Sequence, residues 1–108
     1  MTMENMRAYV SVQKWMDNVN RYYHLEAAEW EGRLKTLREF CQHIGTDPDT
    51  MISEALEKRE VKIECMRRLR QFARQVCPSP RGAHDWENVV RSFFIHNGAR
   101  VIVQPYAE

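Results

Sequence analysis

The chain has 108 residues, of which 44% are hydrophobic and 29% are charged, and its formal net charge is +1. This length and apolar content predict one folded domain with a single core and exclude a disordered chain. No apolar run approaches the roughly 18 to 20 residues of a membrane span, and the polar start lacks the apolar stretch of a signal peptide. We therefore expect a cytoplasmic protein with no membrane partner.

The first half of the chain predicts three helices, over residues 3–20, 24–43 and 48–58. The second of them carries apolar side chains at spacings of three and four, which form one stripe: Trp30, Leu34, Leu37, Cys41 and Ile44. Gly45 is typical of a helix end, and Asp47 before Pro48 is typical of the capping residue and first position of the next helix. Two helices should therefore meet at a tight corner.

Two further helices are predicted over residues 61–76 and 83–96. The segment 78–82 between them contains Pro78 and Pro80, which lack an amide donor, so it reads as a loop. The last helix places its apolar residues on one face and ends at Asn97-Gly98, where the chain can turn through a left-handed conformation. Residues 99–106, which contain Val101-Ile102-Val103 before Pro105, read as an extended tail.

The cysteines and histidines offer no clear metal or cofactor site. Cys41 and Cys65 fall on apolar stripes and are interpreted as small core residues, and with Cys77 they make an odd number without a Cys-x-x-Cys pair. A zinc site is the alternative, but it would need four convergent ligands, and the histidines are scattered through the sequence. We expect no cofactor and no metal.

Aromatic side chains recur at helical spacing on the apolar faces, and this pattern favours core packing. A platform for stacking nucleic-acid bases would need the same rings to be exposed and interleaved with arginine. Ile95 falls opposite Phe93 and is a candidate contact for a partner domain. The rings assigned to the core are Trp15, Trp30, Phe40, Phe72, Trp86 and Phe93.

Positive charge is segregated into the second half of the chain. Residues 1–57 carry six basic and ten acidic side chains, whereas residues 58–107 carry ten basic and four acidic ones. On the helix 61–76, Arg67, Arg70 and Arg74 form a stripe about 10 Å long that can reach successive phosphates. A solvated helix face is the alternative interpretation. The complete set of candidate DNA-binding residues is Lys62, Arg67, Arg68, Arg70, Arg74, Arg81 and Arg91.

The order of helices and anchors resembles the N-terminal core-binding domain of the phage integrase, or tyrosine recombinase, family, most closely its archaeal-type members. The resemblance covers residues 12–103. It is carried by a pattern of helices and anchors, and the matching positions are Trp15-Met16, Trp30, Leu37, Phe40, Gly45, Pro48, Phe93-Phe94 and Asn97-Gly98. One departure is that the family's long helix often opens with a threonine cap and a tyrosine, where this chain has residues 24–29 and then Trp30.

The resemblance implies an all-α, SAM-like bundle of four to five helices arranged as two crossing hairpins. It implies a core-binding domain over residues 1–98 that clamps duplex DNA for site-specific recombination or integration. Residues 99–108 would begin a linker to a C-terminal catalytic domain, which this chain lacks, or the domain would act with other recombinase subunits. The family's catalytic tyrosine, arginines and histidines belong to that absent domain.

Residue chemistry gives the same expectation that the chain alone is not an enzyme. His96 and Arg100 are one residue too far apart for the family's His-x-x-Arg motif, and no tyrosine lies in a cationic cluster that would activate it. Two alternatives stay open. The chain is a helical protein-interaction module that uses Ile95 and residues 101–103, or it is a solitary regulator that competes with a full recombinase for DNA or subunits.

Overall fold

Six α-helices make up the fold of this chain in a computed structural model, which describes residues 2–102. The helices are α1 (Met3–Met6), α2 (Val10–Asn20), α3 (Ala27–Ile44), α4 (Pro48–Glu57), α5 (Arg59–Val76) and α6 (Pro80–His96). The all-α fold class is therefore confirmed. The radius of gyration is 13.0 Å, which is the value of a compact domain of this length. Within the described range, no helix combines the length and hydropathy that a membrane crossing needs.

Two predicted boundaries were wrong. The first predicted helix is broken at residues 7–9, because the amides of Val10 and Ser11 turn toward the Asp49 carboxylate and start a separate helix there. The predicted loop 78–82 is shorter than expected, since α6 already begins at Pro80. Proline fits the first position of a helix, where no amide donor is needed, and Ser79 caps the helix end.

The corner between α3 and α4 follows the prediction. Gly45 adopts the left-handed conformation with φ of 85°, and its amide donates to the Cys41 carbonyl at 2.8 Å. The Asp47 side chain accepts from the Thr50 amide at 2.8 Å, and Pro48 stands at the start of α4. Gly98 is also left-handed, with φ of 89°, so the predicted turn after the last helix is confirmed.

Trp15 on α2 lies at the centre of the core. Its ring meets Trp30 and Phe93 edge to face, at centroid distances of 5.2 and 5.6 Å, and its indole nitrogen donates to Ser92 at 3.1 Å. The aromatic residues assigned to the core are buried, or half-buried in the case of Phe72 and Trp86. The aromatic stripes of α2, α3 and α6 therefore form one core and not a surface for stacking bases.

The prediction that Cys41 and Cys65 are core residues is also confirmed. Cys41 and Cys65 are buried and Cys77 is half-buried, and all three are free thiols. Burial raises the pKa of Cys41 to about 12, and the nearby Asp47 adds to this effect. Among residues 2–102, no group of three or more histidine, cysteine or acidic side chains is placed to hold a metal ion.

The segment after α6 lies against the bundle. Ala99 is buried and Val101 packs against the core. The Lys62 ammonium donates to the Arg100 carbonyl at 3.0 Å, and the Arg91 guanidinium donates to the Ile102 carbonyl at 3.3 Å. The start of the predicted tail is thus held by two side chains of the candidate DNA-binding set. Residues 103–108 lie outside the described residues, and the linker role of the tail stays a prediction.

Candidate nucleic-acid interface

The exposed face of α5 carries four arginines. The opposite face buries Cys65, Leu69 and Ala73 against the core. At 100° per residue, the exposed arginines fall within an arc of about 80°. They are Arg59, Arg67, Arg70 and Arg74, and we call this surface the arginine face. Arg59 was missing from the predicted set because the predicted helix began at residue 61, although the same angular arithmetic would have included it.

The arginines of this face differ in how their charge is compensated. Arg67 forms an ion pair with Glu64, and its hydrogen bond holds the pKa of that carboxyl below the ordinary value. Arg70 lies 3.4 Å from the Glu87 carboxylate of α6. Within residues 2–102, Arg74 has neither a hydrogen bond nor an ion pair. The same holds for Arg59, so these two arginines are more available to an external anion than Arg67 or Arg70.

Arg91 occupies a different environment from the one predicted for it. Its side chain is 7% exposed, and it donates to Glu87 from two nitrogens, at 3.0 and 2.7 Å. Because the guanidinium is buried and its charge is compensated, it is not available to a phosphate in the way that Arg67 or Arg74 is. Arg91 instead fixes the Glu87 carboxylate, which in turn positions the exposed head of Arg70.

These side chains surround a shallow depression between α5 and α6. Its volume is about 390 Å³, and it is lined by Met66, Arg67, Arg70, Gln71, Arg74 and Arg91. Glu64 and Glu87 are the carboxylates that pair with Arg67, Arg70 and Arg91, and Arg74 adds a fourth cation, so the local charge is positive. Guanidinium and amide donors around a concave surface suit phosphate oxygens, because arginine presents several donors in a fixed geometry.

The other predicted residues do not join this cluster. Lys62 lies on the side of α5 that faces the tail, where it donates to the Arg100 carbonyl. Arg68 lies on another side and reaches the His43 carbonyl at 3.5 Å. Arg81 lies on the first turn of α6 and pairs with Asp85 at 3.4 Å. The structure thus brings together Arg67, Arg70 and Arg74, with Arg91 behind them.

Apolar residues are exposed beside the arginines. Ile63 is 53% exposed and falls within the angular arc of the arginine face. Ile102 is 73% exposed. Ile95, the predicted contact for a partner domain, is half-buried. Val103, also part of that predicted surface, lies outside the described residues.

One tyrosine shares a depression with an arginine, a histidine and a carboxylate. Tyr23 is exposed and lines a depression of about 430 Å³ together with Arg33 and His96. Burial lowers the pKa of His96, and the nearby Arg33 adds to this effect, so the imidazole is neutral at physiological pH. Arg33 is then the charged donor in this depression, against the single carboxylate of Asp85.

Comparison of the chain with protein-family models, with curated proteins and with solved structures finds no match.

Proposed function

We propose that this chain is a non-catalytic DNA-binding domain of the tyrosine recombinase type, which contacts the backbone of duplex DNA through the arginine face. The observation that carries the proposal is the convergence of Arg67, Arg70 and Arg74 on a positively charged depression. Along α5, the distance from Arg67 to Arg74 is about 10 Å, which is enough to contact more than one phosphate of a strand. A cytoplasmic location is part of this proposal.

The expected affinity is low. The arginine face offers few phosphate contacts, and the first half of the chain has an excess of acidic side chains that repel DNA. We therefore expect dissociation constants on the order of 10⁻⁴ to 10⁻⁶ M at physiological salt, typical of non-specific binding. A catalytic domain in the same polypeptide, or another recombinase subunit, would raise the affinity by holding a second surface on the same duplex.

The test is the salt dependence of binding to a 5′-hydroxyl DNA duplex. Replacing Arg67, Arg70 and Arg74 together by alanine should weaken binding and lower the slope of log K against log salt by about 0.9 for each phosphate that the variant no longer neutralises. The control removes three exposed cations elsewhere, namely Lys14, Arg21 and Arg100. Equal affinities of the two triple variants, with helicity preserved, would exclude the arginine face as the DNA-binding surface.

The proposal includes no strand cleavage by the isolated chain. After incubation with supercoiled DNA, we expect neither relaxation nor a covalent adduct that survives denaturation. Tyr23 is the residue to inspect first, because it shares a depression with Arg33 and His96. Tyr22 is exposed as well, and Tyr106 lies outside the described residues. A denaturation-resistant adduct on any of them would show that the chain is an enzyme.

A protein-interaction module is the second candidate, and the exposure of Ile63 and Ile102 is the observation that favours it. An apolar interface releases no condensed counterions, so its affinity would change little between low and physiological salt. Replacing Ile63 by serine should then abolish partner binding, whereas the arginine variants should have a small effect. A regulator that competes with a full recombinase would instead share the steep salt dependence of DNA binding.

A further inference from the structure

A second basic surface lies where the end of α1 meets α3. It is a groove of about 590 Å³, and its walls include Arg7, Lys35 and Arg38. None of these residues belongs to the arginine face. The first half of the chain has only six basic residues against ten acidic ones, so half of its basic residues line this one groove. Such a concentration in an otherwise acidic segment points to an anionic ligand.

The cations of the groove are poorly compensated by the protein. The Nε atom of Arg38 is buried and has no hydrogen-bond partner among residues 2–102. Among the side chains that the structure describes, which do not include those of residues 3 and 4, Arg7 has no carboxylate partner, and its guanidinium lies 3.9 Å from the sulfur of Met16. Lys35 lies 4.0 Å from Glu39, at the outer limit of an ion pair. A buried charged donor without an acceptor is costly, and a bound anion would remove that cost.

Gly32 forms part of the wall and has no evident role in the fold. It lies in the interior of α3, where glycine destabilises a helix relative to alanine. No atom lies within 4 Å of the position that a Cβ would occupy, and the backbone is not left-handed there. Neither packing nor conformation therefore requires glycine at this position. Its absent side chain leaves space in the groove beside the cations.

We propose that this groove binds a phosphate monoester, with the phosphate held by Arg7, Lys35 and Arg38. The three cations outnumber the two nearby carboxylates, Glu31 in the wall and Glu39 beside Lys35, so the groove is positive and attracts a dianionic monoester more strongly than a singly charged diester. Leu34 supplies an apolar wall for the group that carries the phosphate. A free nucleotide and the 5′-phosphate end of a nucleic acid both present this chemistry.

The test is calorimetric titration at low ionic strength with AMP, adenosine, cyclic AMP and inorganic phosphate. AMP should bind, adenosine should not, and cyclic AMP, whose phosphate is a singly charged diester, should bind at least several-fold more weakly than AMP. A 5′-phosphorylated oligothymidylate, compared with its 5′-hydroxyl form, represents a nucleic-acid end. Whichever of AMP and the phosphorylated oligonucleotide binds more tightly identifies the source of the phosphate.

Three variants separate the groove from the rest of the surface. Gly32→Leu keeps every charge but fills the groove, and it should reduce AMP affinity at least tenfold without lowering thermal stability. Arg38→Gln should reduce the affinity by a similar factor, since it removes a charged donor. The matched control is Arg33→Gln, which makes the same substitution on the opposite side of α3 and should leave the affinity within twofold.

The outcome is independent of DNA binding by the arginine face. The variant with alanine at Arg67, Arg70 and Arg74 should bind AMP as the unmodified chain does. The proposal is overturned if AMP does not bind, if adenosine binds as tightly as AMP, or if Gly32→Leu leaves the affinity unchanged. Equal losses in Arg33→Gln and Arg38→Gln would also overturn it, because they would indicate attraction by overall charge.

Discussion

Glu87→Gln should destabilise this chain strongly. The carboxylate is 8% exposed and accepts two hydrogen bonds from Arg91, which is itself 7% exposed. The substitution keeps the size of the side chain but leaves the buried guanidinium without a counter-charge. Removing one partner of a buried ion pair costs about 3–5 kcal/mol, which is a large share of the roughly 5–15 kcal/mol that stabilises a domain. With a slope of about 1.5 kcal/mol per molar, the urea midpoint should fall by about 2 M or more.

Two further variants isolate the cause of that loss. Arg70→Gln removes the exposed partner of Glu87 and should cost no more than about 1 kcal/mol, because solvent screens that pair. The double replacement of Glu87 by leucine and Arg91 by methionine removes both buried charges and should recover most of the stability. Equilibrium urea unfolding followed by circular dichroism measures all three. A loss below about 1 kcal/mol in Glu87→Gln would refute the claim that Arg91 depends on this carboxylate.

The remaining predictions concern thiol reactivity and pH. Iodoacetamide at pH 8 should alkylate half-buried Cys77 well before buried Cys41, because a pKa of about 12 leaves roughly one Cys41 thiol in 10⁴ as thiolate. Mass spectrometry of the folded chain measures both rates, and equal rates would contradict this order. Because burial and Arg33 lower the folded-state pKa of His96, the unfolded chain takes up protons first, so the free energy of unfolding should fall as pH drops below about 6.5. His96→Gln should reduce that slope in urea titrations between pH 7 and 5.

Local sequence signals were sufficient to predict the helix ends that are fixed by residues close to them in the sequence. Gly45, Asp47 and Pro48 terminate one helix and start the next through contacts within a few residues, so the α3–α4 corner was predictable. The break between α1 and α2 was not predictable, because the side chain that captures the amide of Val10 is Asp49, 39 residues away in the sequence. Helical periodicity predicted one uninterrupted helix across residues 7–9, because it contains no information on hydrogen-bond acceptors that are distant in the sequence.

The candidate site was also predictable only where it depends on spacing within one helix. Periodicity placed Arg67, Arg70 and Arg74 on one face, because three- and four-residue spacing fixes their directions on any helix. The four-residue spacing of Glu87 and Arg91 indicates an ion pair, but its burial depends on how α5 packs on α6. The phosphate groove could not be predicted, because it joins side chains from two segments and depends on space left by Gly32.

The Asp49 carboxylate, which receives the first amides of α2, has a consequence for the order of folding. Tyr9 supplies no side-chain cap to α2, so the start of this 11-residue helix depends on an acceptor from α4. A helix of that length is marginal in water by itself. During folding, α2 therefore gains these two contacts at its start only when α4 has docked, and closing the loop between them carries an entropy cost that precedes the gain. We therefore expect the α3–α4 corner to be formed in the folding transition state and α2 to form after it, although α2 is nearer the beginning of the chain.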